Sequence, residues 1–244
     1  MKSLSLVLVS LLINFSLFAA EPLVQIVTEE AYPLAYLDPD DSKIKGIGTE
    51  IIREVMDIAG LQYTVKILPW TRAYQNTINI PNTLIYSLAR IPERDKQFIW
   101  LEKFYHLEYS IYAINKNLTN LSLENIKTKS IAVLRNDVSH ISLLHQGFTK
   151  FVFINDRNHA IQLLERGRVD LMFASAYFVK ILNSKALSTI ILQDIKDFKN
   201  LKFYLYFAMN LNSDPELVNK IRNGFKLAKE QGNFNKLVKS LHTN

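Results

Sequence analysis

The sequence predicts an α/β protein, because strand-like and helix-like segments alternate along most of the chain. Short runs rich in β-branched and aromatic residues, such as 83–89, alternate with segments whose apolar residues recur at helical spacing. A second series of the same kind begins near residue 130. This alternation is typical of a mostly parallel sheet flanked by helices.

The first 20 residues have the pattern of a secretory signal peptide and are left out of the fold. Lys2 precedes an apolar run, and the small residues Ala19 and Ala20 precede Glu21. The run is broken by polar residues and is shorter than the roughly 20 apolar residues that a spanning helix needs. We therefore expect export to the periplasm, with an uncleaved membrane anchor as the alternative.

The composition argues against several classes of function. The chain has no cysteine, which excludes disulfides and thiolate chemistry, and 48% of its residues are hydrophobic, enough for a sizeable core. The net charge is +6, but the basic residues are scattered, which indicates a modest preference for anionic ligands rather than nucleic acid. The histidines are also scattered, and phosphate-loop, hydrolase-elbow and zinc-protease motifs are lacking. We predict no metal, no cofactor and no catalytic residue.

The first series begins with a strand and continues through two helices. Gly46 leads into a helix for which Thr49 is the predicted N-cap and Gly60 the C-terminal cap. A second helix is predicted to end near Asn79. The predicted strands cover residues 23–28, 63–68 and 83–89. The carboxylates at 29–30 and 40–41 lie in turn-like sequence, and we expect them to be solvated.

The second series follows a long β-prone segment over 104–114, which we expect to pass between two domains. Asp156 is the predicted cap of a helix, and the polar residues from Ser213 mark the start of another. Residues 174–177 are predicted to form a loop after a strand, and Gly232 separates the last two helices. The predicted strands of this part cover 130–134, 151–154, 169–173 and a return segment within 197–210.

The stretch 87–100 is the first candidate for a functional site. It places Arg90 and Arg94 just after the predicted strand 83–89, where α/β sheets usually hold ligand-contacting groups. Arginine presents a planar fork of donors that suits a carboxylate or a phosphate. The alternative is a solvated turn in which Arg90, Glu93, Arg94 and Asp95 pair with one another.

Other candidates lie on loops that are predicted to face a cleft. Aromatic side chains on such loops can wall a small-ligand site, although each is as often part of the core or its rim. The candidates are the aromatic residues Tyr32, Tyr36, Trp70 and Tyr177, the arginines Arg72 and Arg135, and the serines Ser87, Ser139 and Ser175.

The order of these signals resembles the bacterial extracellular solute-binding proteins of family 3, the periplasmic binding proteins of polar amino-acid ABC transporters. The resemblance covers nearly all of residues 21–244. It rests on Tyr32-Pro33, the Gly-led helix 46–60, the loop 91–94, the aromatic crossing segment 100–105, the Gly-Arg-x-Asp-like run 165–170, and Gly232-Asn233-Phe234. The resemblance implies a type II periplasmic-binding-protein-like fold of two lobes joined by two crossing strands. Residues 21–109 with 203–244 would form one lobe, and residues 110–202 the other.

The resemblance also implies how a ligand is held. Arg94 is in register with the family's arginine that binds the ligand carboxylate. Ile91 stands where the family has a threonine, and Ser175 falls where the family has an aspartate for the ligand ammonium. These departures favour an anionic or weakly zwitterionic small solute over a standard amino acid.

The implied role is a monomer that binds a small solute and delivers it to an ABC-transporter permease. Two other classes of function stay open. One is a sensory module that presents its ligand to a membrane partner. The other is an enzyme on the same fold, similar to the periplasmic dehydratases, for which Glu93 is the candidate acid or base.

Overall fold

The computed structural model describes residues 23–184 and 192–243. The predicted signal peptide over residues 1–20 lies outside the described residues. Among the described helices, none is long and apolar enough to cross a membrane.

Strands and helices alternate as the sequence predicts. The strands are β1 (Val24–Thr28), β2 (Tyr36–Leu37), β3 (Ile44–Lys45), β4 (Tyr63–Ile67), β5 (Thr83–Ala89), β6 (Phe98–Ala113), β7 (Ile131–Leu134), β8 (Phe151–Ile154), β9 (Leu171–Ser175), β10 (Gln193–Asp194) and β11 (Leu201–Asn210). The helices are α1 (Ile47–Ala59), α2 (Trp70–Asn79), α3 (Leu123–Lys127), α4 (Val138–His145), α5 (Arg157–Glu165), α6 (Ala176–Ser184), α7 (Pro215–Glu230) and α8 (Asn233–Thr243).

Within the described residues, one sheet runs through the whole molecule in the order β4-β1-β5-β11-β6-β9-β7-β8, and β10 pairs with β6. The strands at both ends of this order are parallel to their neighbours, whereas β6 and β11 are antiparallel to each other. We call β1, β4 and β5 with α1, α2, α7 and α8 the first lobe. We call β7, β8 and β9 with α3 to α6 the second lobe. The predicted two-lobed α/β fold is confirmed.

The two crossing strands are β6 and β11. Strand β6 has 16 residues and is longer than the predicted segment because it already begins at Phe98. It pairs with β11 from Phe98 to Tyr109 and with β9 from Tyr109 to Tyr112, so it belongs to both lobes. The register between β6 and β11 shifts at Leu205/Tyr206 and again at Phe207/Ala208.

Helix α1 begins earlier than its predicted cap. Gly46 occupies the N-cap position with φ of 119°, and Thr49 lies inside the helix, so the predicted Thr49 cap is wrong. A methyl group at Gly48 would lie only 2.9 Å from the Tyr86 ring. Because Gly48 has no side chain, this first turn can pack directly on β5. The Thr49 hydroxyl is 2.7 Å from that of Tyr86 instead. Gly60 ends the helix in the left-handed conformation, as predicted.

The second lobe departs from the prediction at β9. Asp170 precedes the strand, and its carboxylate accepts hydrogen bonds from the backbone and hydroxyl of Ser130 at 2.9 and 2.8 Å. The strand runs from Leu171 to Ser175 and α6 follows at once, so the predicted loop 174–177 is wrong. The Ser175 hydroxyl accepts a hydrogen bond from the Phe178 amide and stabilises the start of α6. Asp156 caps α5 as predicted.

Candidate ligand-binding site

A cavity of about 910 Å³ lies between the two lobes. The loop after β1 forms its first-lobe wall, and residues along α5 and α6 form its second-lobe wall. Its lining includes Glu29, Tyr32, Tyr36, Ser87, Arg157, Ser175, Tyr177 and Phe178. Small-molecule sites typically enclose about 300–1,000 Å³, so this cavity has the size of a ligand site.

An ion pair between Glu29 and Arg157 crosses the cleft. Glu29 follows β1 in the first lobe, and Arg157 is the first residue of α5 in the second. Two hydrogen bonds run in parallel, from Arg157 Nη1 to Glu29 Oε2 at 2.7 Å and from Nη2 to Oε1 at 3.1 Å. The Arg157 side chain is only 20% exposed, and the Glu29 side chain is only 13% exposed. Burial acts to lower the pKa of Arg157, but Glu29, together with Tyr109 and Asp137, outweighs burial, so the pKa of Arg157 lies above its usual value.

The expectation that Glu29 is solvated is therefore wrong, and neither partner of this pair was among the predicted site residues. The rule that selected Tyr32, a position on a loop after a strand, applies equally to Glu29. Arg157 follows the helix cap Asp156, at the start of a helix after β8. Nothing in the linear sequence indicates that these two positions face each other.

Two more buried charges lie within electrostatic reach of this pair. They are Asp137 in the second lobe and Arg94 in the first. The Asp137 carboxylate accepts a hydrogen bond from the Ser139 hydroxyl at 2.8 Å. Tyr109 lies beside the same group, and burial raises its pKa. The group of Glu29, Asp137, Arg94 and Arg157, which we call the charge cluster, has no net charge when all four side chains are ionised.

Arg94 is buried between the lobes, and its side chain is 1% exposed. Its Nη1 donates to the Ala89 carbonyl at 3.0 Å, and its Nη2 donates across the cleft to the Asn136 carbonyl at 2.8 Å. The guanidinium packs on the rings of Trp70 and Tyr74, each 5.2 Å away. Its Nε has no hydrogen-bond partner among the described residues. Burial lowers the pKa of Arg94. Both Nη donors of Arg94 are thus bonded to backbone carbonyls, and Arg94 is not among the described residues that line the cavity.

Arg90, in contrast, forms the solvated pair that was the alternative for this stretch. Its Nε is 2.7 Å from Asp95 Oδ1, and this hydrogen bond raises the pKa of Arg90. Its guanidinium lies over the rings of Trp100 and Tyr206. Glu93 does not pair with it; its carboxylate lies 3.4 Å from Nδ1 of His145 in the second lobe.

Of the other predicted residues, Tyr32, Ser87, Ser175, Tyr36 and Tyr177 line the cavity. The ring of Tyr32 is 4.9 Å from that of Tyr36, and its side chain is 47% exposed. Ser87 has φ of 62°, and its buried hydroxyl has no hydrogen-bond partner in the described part of the chain. A non-glycine residue in this conformation is uncommon and occurs preferentially at functional sites.

The remaining predicted residues do not belong to the described lining of this cavity. Trp70 is buried against Arg94, and Ser139 is buried against Asp137. Arg72 is exposed on the first turn of α2. Arg135 is exposed as well and lies over the Phe153 ring, with 3.8 Å between the guanidinium carbon and the ring centre. The described residues include no group of three or more side chains that could ligate a metal ion.

Two α/β lobes with a charged cavity between them define a two-lobed binding protein. The chain belongs to the bacterial extracellular solute-binding proteins, family 3, whose model matches residues 23–243. The resemblance inferred from the sequence is confirmed. A comparison with curated proteins found no match.

Solved structures show the same fold. A histidine kinase sensor domain with similarity to periplasmic binding proteins superposes with a TM-score of 0.77 at 16% identity, covering 91% of this chain and 96% of the other. A His/Glu/Gln/Arg/opine family-binding protein from Silicibacter pomeroyi, in complex with lysine, gives 0.72 at 21%, covering 89% and 95%. The ancestral amino acid-binding protein AncCDT-1, a precursor of cyclohexadienyl dehydratase, gives 0.71 at 18%, covering 89% and 94%.

Proposed function

We propose that this chain is a periplasmic solute-binding protein that captures a small carboxylate-bearing solute between its lobes. Closure of the lobes holds the solute, and the closed form delivers it to an ABC-transporter permease. The observation that carries the proposal is the cavity between the lobes in a member of this family. On this proposal residues 1–20 direct export, and the chain acts as a monomer. The lobe boundaries, 21–109 with 203–244 and 110–202, fall within β6 and β11.

Arg94 is the proposed carboxylate anchor. Its bond to Asn136 joins the two lobes, so a separation of the lobes would free Nη2 while the Ala89 carbonyl and the aromatic rings still hold the guanidinium. A ligand carboxylate could then accept from Nη2 and from the unpartnered Nε. A charge-assisted bond of this kind is stronger than the bond to a neutral carbonyl, which favours the exchange.

The charges around the cavity support a zwitterionic solute rather than a purely anionic one. The described lining contains the carboxylates of Glu29, Glu30, Asp156 and Glu165 but only one guanidinium, that of Arg157. The charge cluster is balanced, so an added anion would bring an uncompensated charge into a mostly buried site. A cationic group on the same solute would offset that charge and could face the carboxylates of the lining.

A thermal-shift screen over amino acids, small carboxylates and dipeptides tests the proposal. A ligand at a hundredfold its Kd stabilises the folded state by about 2.7 kcal/mol, which raises the melting temperature measurably. Arg94→Lys keeps the charge but loses the planar fork, so the shift from the best ligand should fall sharply. The control is Arg222→Lys, on the exposed side of α7. A full shift in folded Arg94→Lys would show that Arg94 is not the anchor.

A sensory module is the second candidate, because the solved sensor domain superposes over nearly the whole chain. Both roles require ligand binding, so they differ only in the partner. Stimulation of the ATPase of a reconstituted permease would support transport, whereas ligand-dependent binding to a kinase ectodomain would support sensing.

The dehydratase alternative requires turnover, and product formation followed by NMR would detect it.

A further inference from the structure

The walls of the cavity suggest the kind of solute that it holds. The first-lobe wall carries Tyr32 and Tyr36, and the second-lobe wall carries Tyr177 and Phe178. Tyr32 and Tyr177 line the same cavity from the two lobes. Burial raises the pKa of Tyr177, and Tyr32 and Tyr105 add to that rise. We call these four side chains the aromatic walls.

Part of the first-lobe wall is exposed to solvent in the structure. Tyr32 is 47% exposed, and Leu37, which also lines the cavity, is 51% exposed. One exposed apolar side chain is normal on a protein surface, but two that share the wall of a cavity form a patch that a ligand can cover. The cavity of about 910 Å³ is near the upper end of the 300–1,000 Å³ typical of drug-sized ligands, and a single small amino acid would leave much of it unfilled.

Polar groups share the lining of the cavity with the aromatic walls. Glu29 and Arg157 are largely buried and saturate each other in a bidentate pair, while Ser87 offers a buried hydroxyl without a described partner. A ligand in this cavity therefore meets polar and charged groups as well as aromatic rings. Ligand sites commonly combine a mostly apolar wall with a few convergent polar groups that fix orientation.

We propose that the solute is zwitterionic, is larger than a single amino acid, and carries an aromatic or branched apolar body that lies between Tyr32 and Tyr177. Its charged groups contact the charge cluster and the carboxylates of the lining. This inference rests on the proposed function and makes it more specific. It makes the phenol rings of Tyr32 and Tyr177 determinants of ligand preference, because they contact the part of the solute that a small polar amino acid lacks.

Isothermal titration with three probes tests this inference. Alanyl-phenylalanine has both charges and the apolar body, alanyl-glycine has the charges alone, and glutamine represents a small polar amino acid. We expect alanyl-phenylalanine to bind at least about tenfold more tightly than the other two, since a buried aromatic contact contributes on the order of one kcal/mol beyond its area. Tighter or equal binding of glutamine or alanyl-glycine would overturn the inference.

Variants of the walls separate this inference from a general effect on the fold. Tyr32→Ala and Tyr177→Ala should each weaken alanyl-phenylalanine binding by about tenfold and leave alanyl-glycine binding within about twofold. The matched control is Tyr204→Ala, an exposed tyrosine of β11 outside the described lining of the cavity. Unchanged alanyl-phenylalanine affinity in both wall variants would overturn the inference.

If another solute from the thermal-shift screen binds but alanyl-phenylalanine does not, this inference fails while the proposed function stands. If no solute in the screen binds, the proposed function fails as well.

Discussion

At the scale of single residues, the charge of Arg157 depends on Glu29. Both side chains are largely buried, and each satisfies the other with two hydrogen bonds. Removal of one partner of a buried pair leaves the other charge without compensation, which costs more than the pair itself contributes. The pair is also one of the contacts that join the lobes.

We predict that Glu29→Gln lowers the free energy of unfolding by about 3 kcal/mol, because Arg157 would keep a buried charge without its bidentate partner. Arg157→Met should cost a similar amount, and the double variant should cost less than the sum of the two. Urea unfolding at neutral pH measures all three. Glu216→Gln, at a side chain that is 82% exposed, is the control. Strictly additive effects in the double variant would contradict the coupling.

The residue scale also shows what the sequence could and could not predict. Arg94 was predicted to be a site residue because it follows β5, and the structure buries it between the lobes. Its bond to Asn136 was not predictable, because it depends on a loop 42 residues further along the chain. Arg90 differs from Arg94 in solvent exposure and in having Asp95 within reach, and neither difference is visible in the spacing. Glu29 and Arg157 were missed because a pair between two lobes leaves no local pattern.

At the scale of elements, the contact of α1 with α7 is closer than side chains normally allow. Gly224 of α7 lies against α1, and a methyl group there would be 2.6 Å from the Val55 carbonyl oxygen. The position must therefore lack a side chain. The helical periodicity of both segments was predicted correctly, but the depth of their contact depends on one glycine within α7.

We predict that Gly224→Ala destabilises the protein by about 1–3 kcal/mol, because overpacking outweighs the gain in helix propensity. In an exposed helix the same substitution would stabilise by about 1 kcal/mol, so the sign of the change reports the contact. Thermal unfolding followed by circular dichroism measures it, and Asn223→Ala at the neighbouring exposed position is the control. A rise in melting temperature for Gly224→Ala would contradict this account.

Elements at the start of α6 show the limit of local signals. Small residues after a buried strand were predicted to form a loop, but Ser175 caps the next helix without any intervening residue. Most strands and helices were predicted within a few residues, because alternation and helical spacing are local. The bounds of β9 were not: Asp170, before the strand, bonds to Ser130, and the strand continues to Ser175 at the start of α6.

At the scale of the whole molecule, three of the polar contacts between described residues bridge the cleft. They are Glu29 with Arg157, Arg94 with the Asn136 carbonyl, and Glu93 with His145. Each joins the first lobe to the second without passing through the crossing strands. If the lobes open and close as proposed, the balance between the two arrangements should depend on these contacts as well as on a ligand.

We predict that Glu29→Gln shifts the ligand-free protein toward a more open arrangement, because it removes the ion pair between Glu29 and Arg157 that joins the lobes at 2.7 Å. The chain has no cysteine, so single dyes can be attached at Gln62→Cys and Lys150→Cys, two exposed positions that precede β4 and β8. Single-molecule energy transfer between the dyes should show a changed distance distribution. The same labelled pair carrying Glu216→Gln is the control, and identical distributions in both proteins would contradict the prediction.

The continuity of β6 has a mechanical consequence. Because β6 and β11 pass through both lobes and remain hydrogen-bonded to each other, a rotation of one lobe cannot occur at a free joint and must be absorbed as torsion of a two-stranded ribbon. The two register shifts in that ribbon are places where its ladder of hydrogen bonds is interrupted. If the lobes close as proposed, we expect the deformation of the ribbon to concentrate there, so that the residues from Leu205 to Ala208 influence how far apart the lobes stand before a solute arrives.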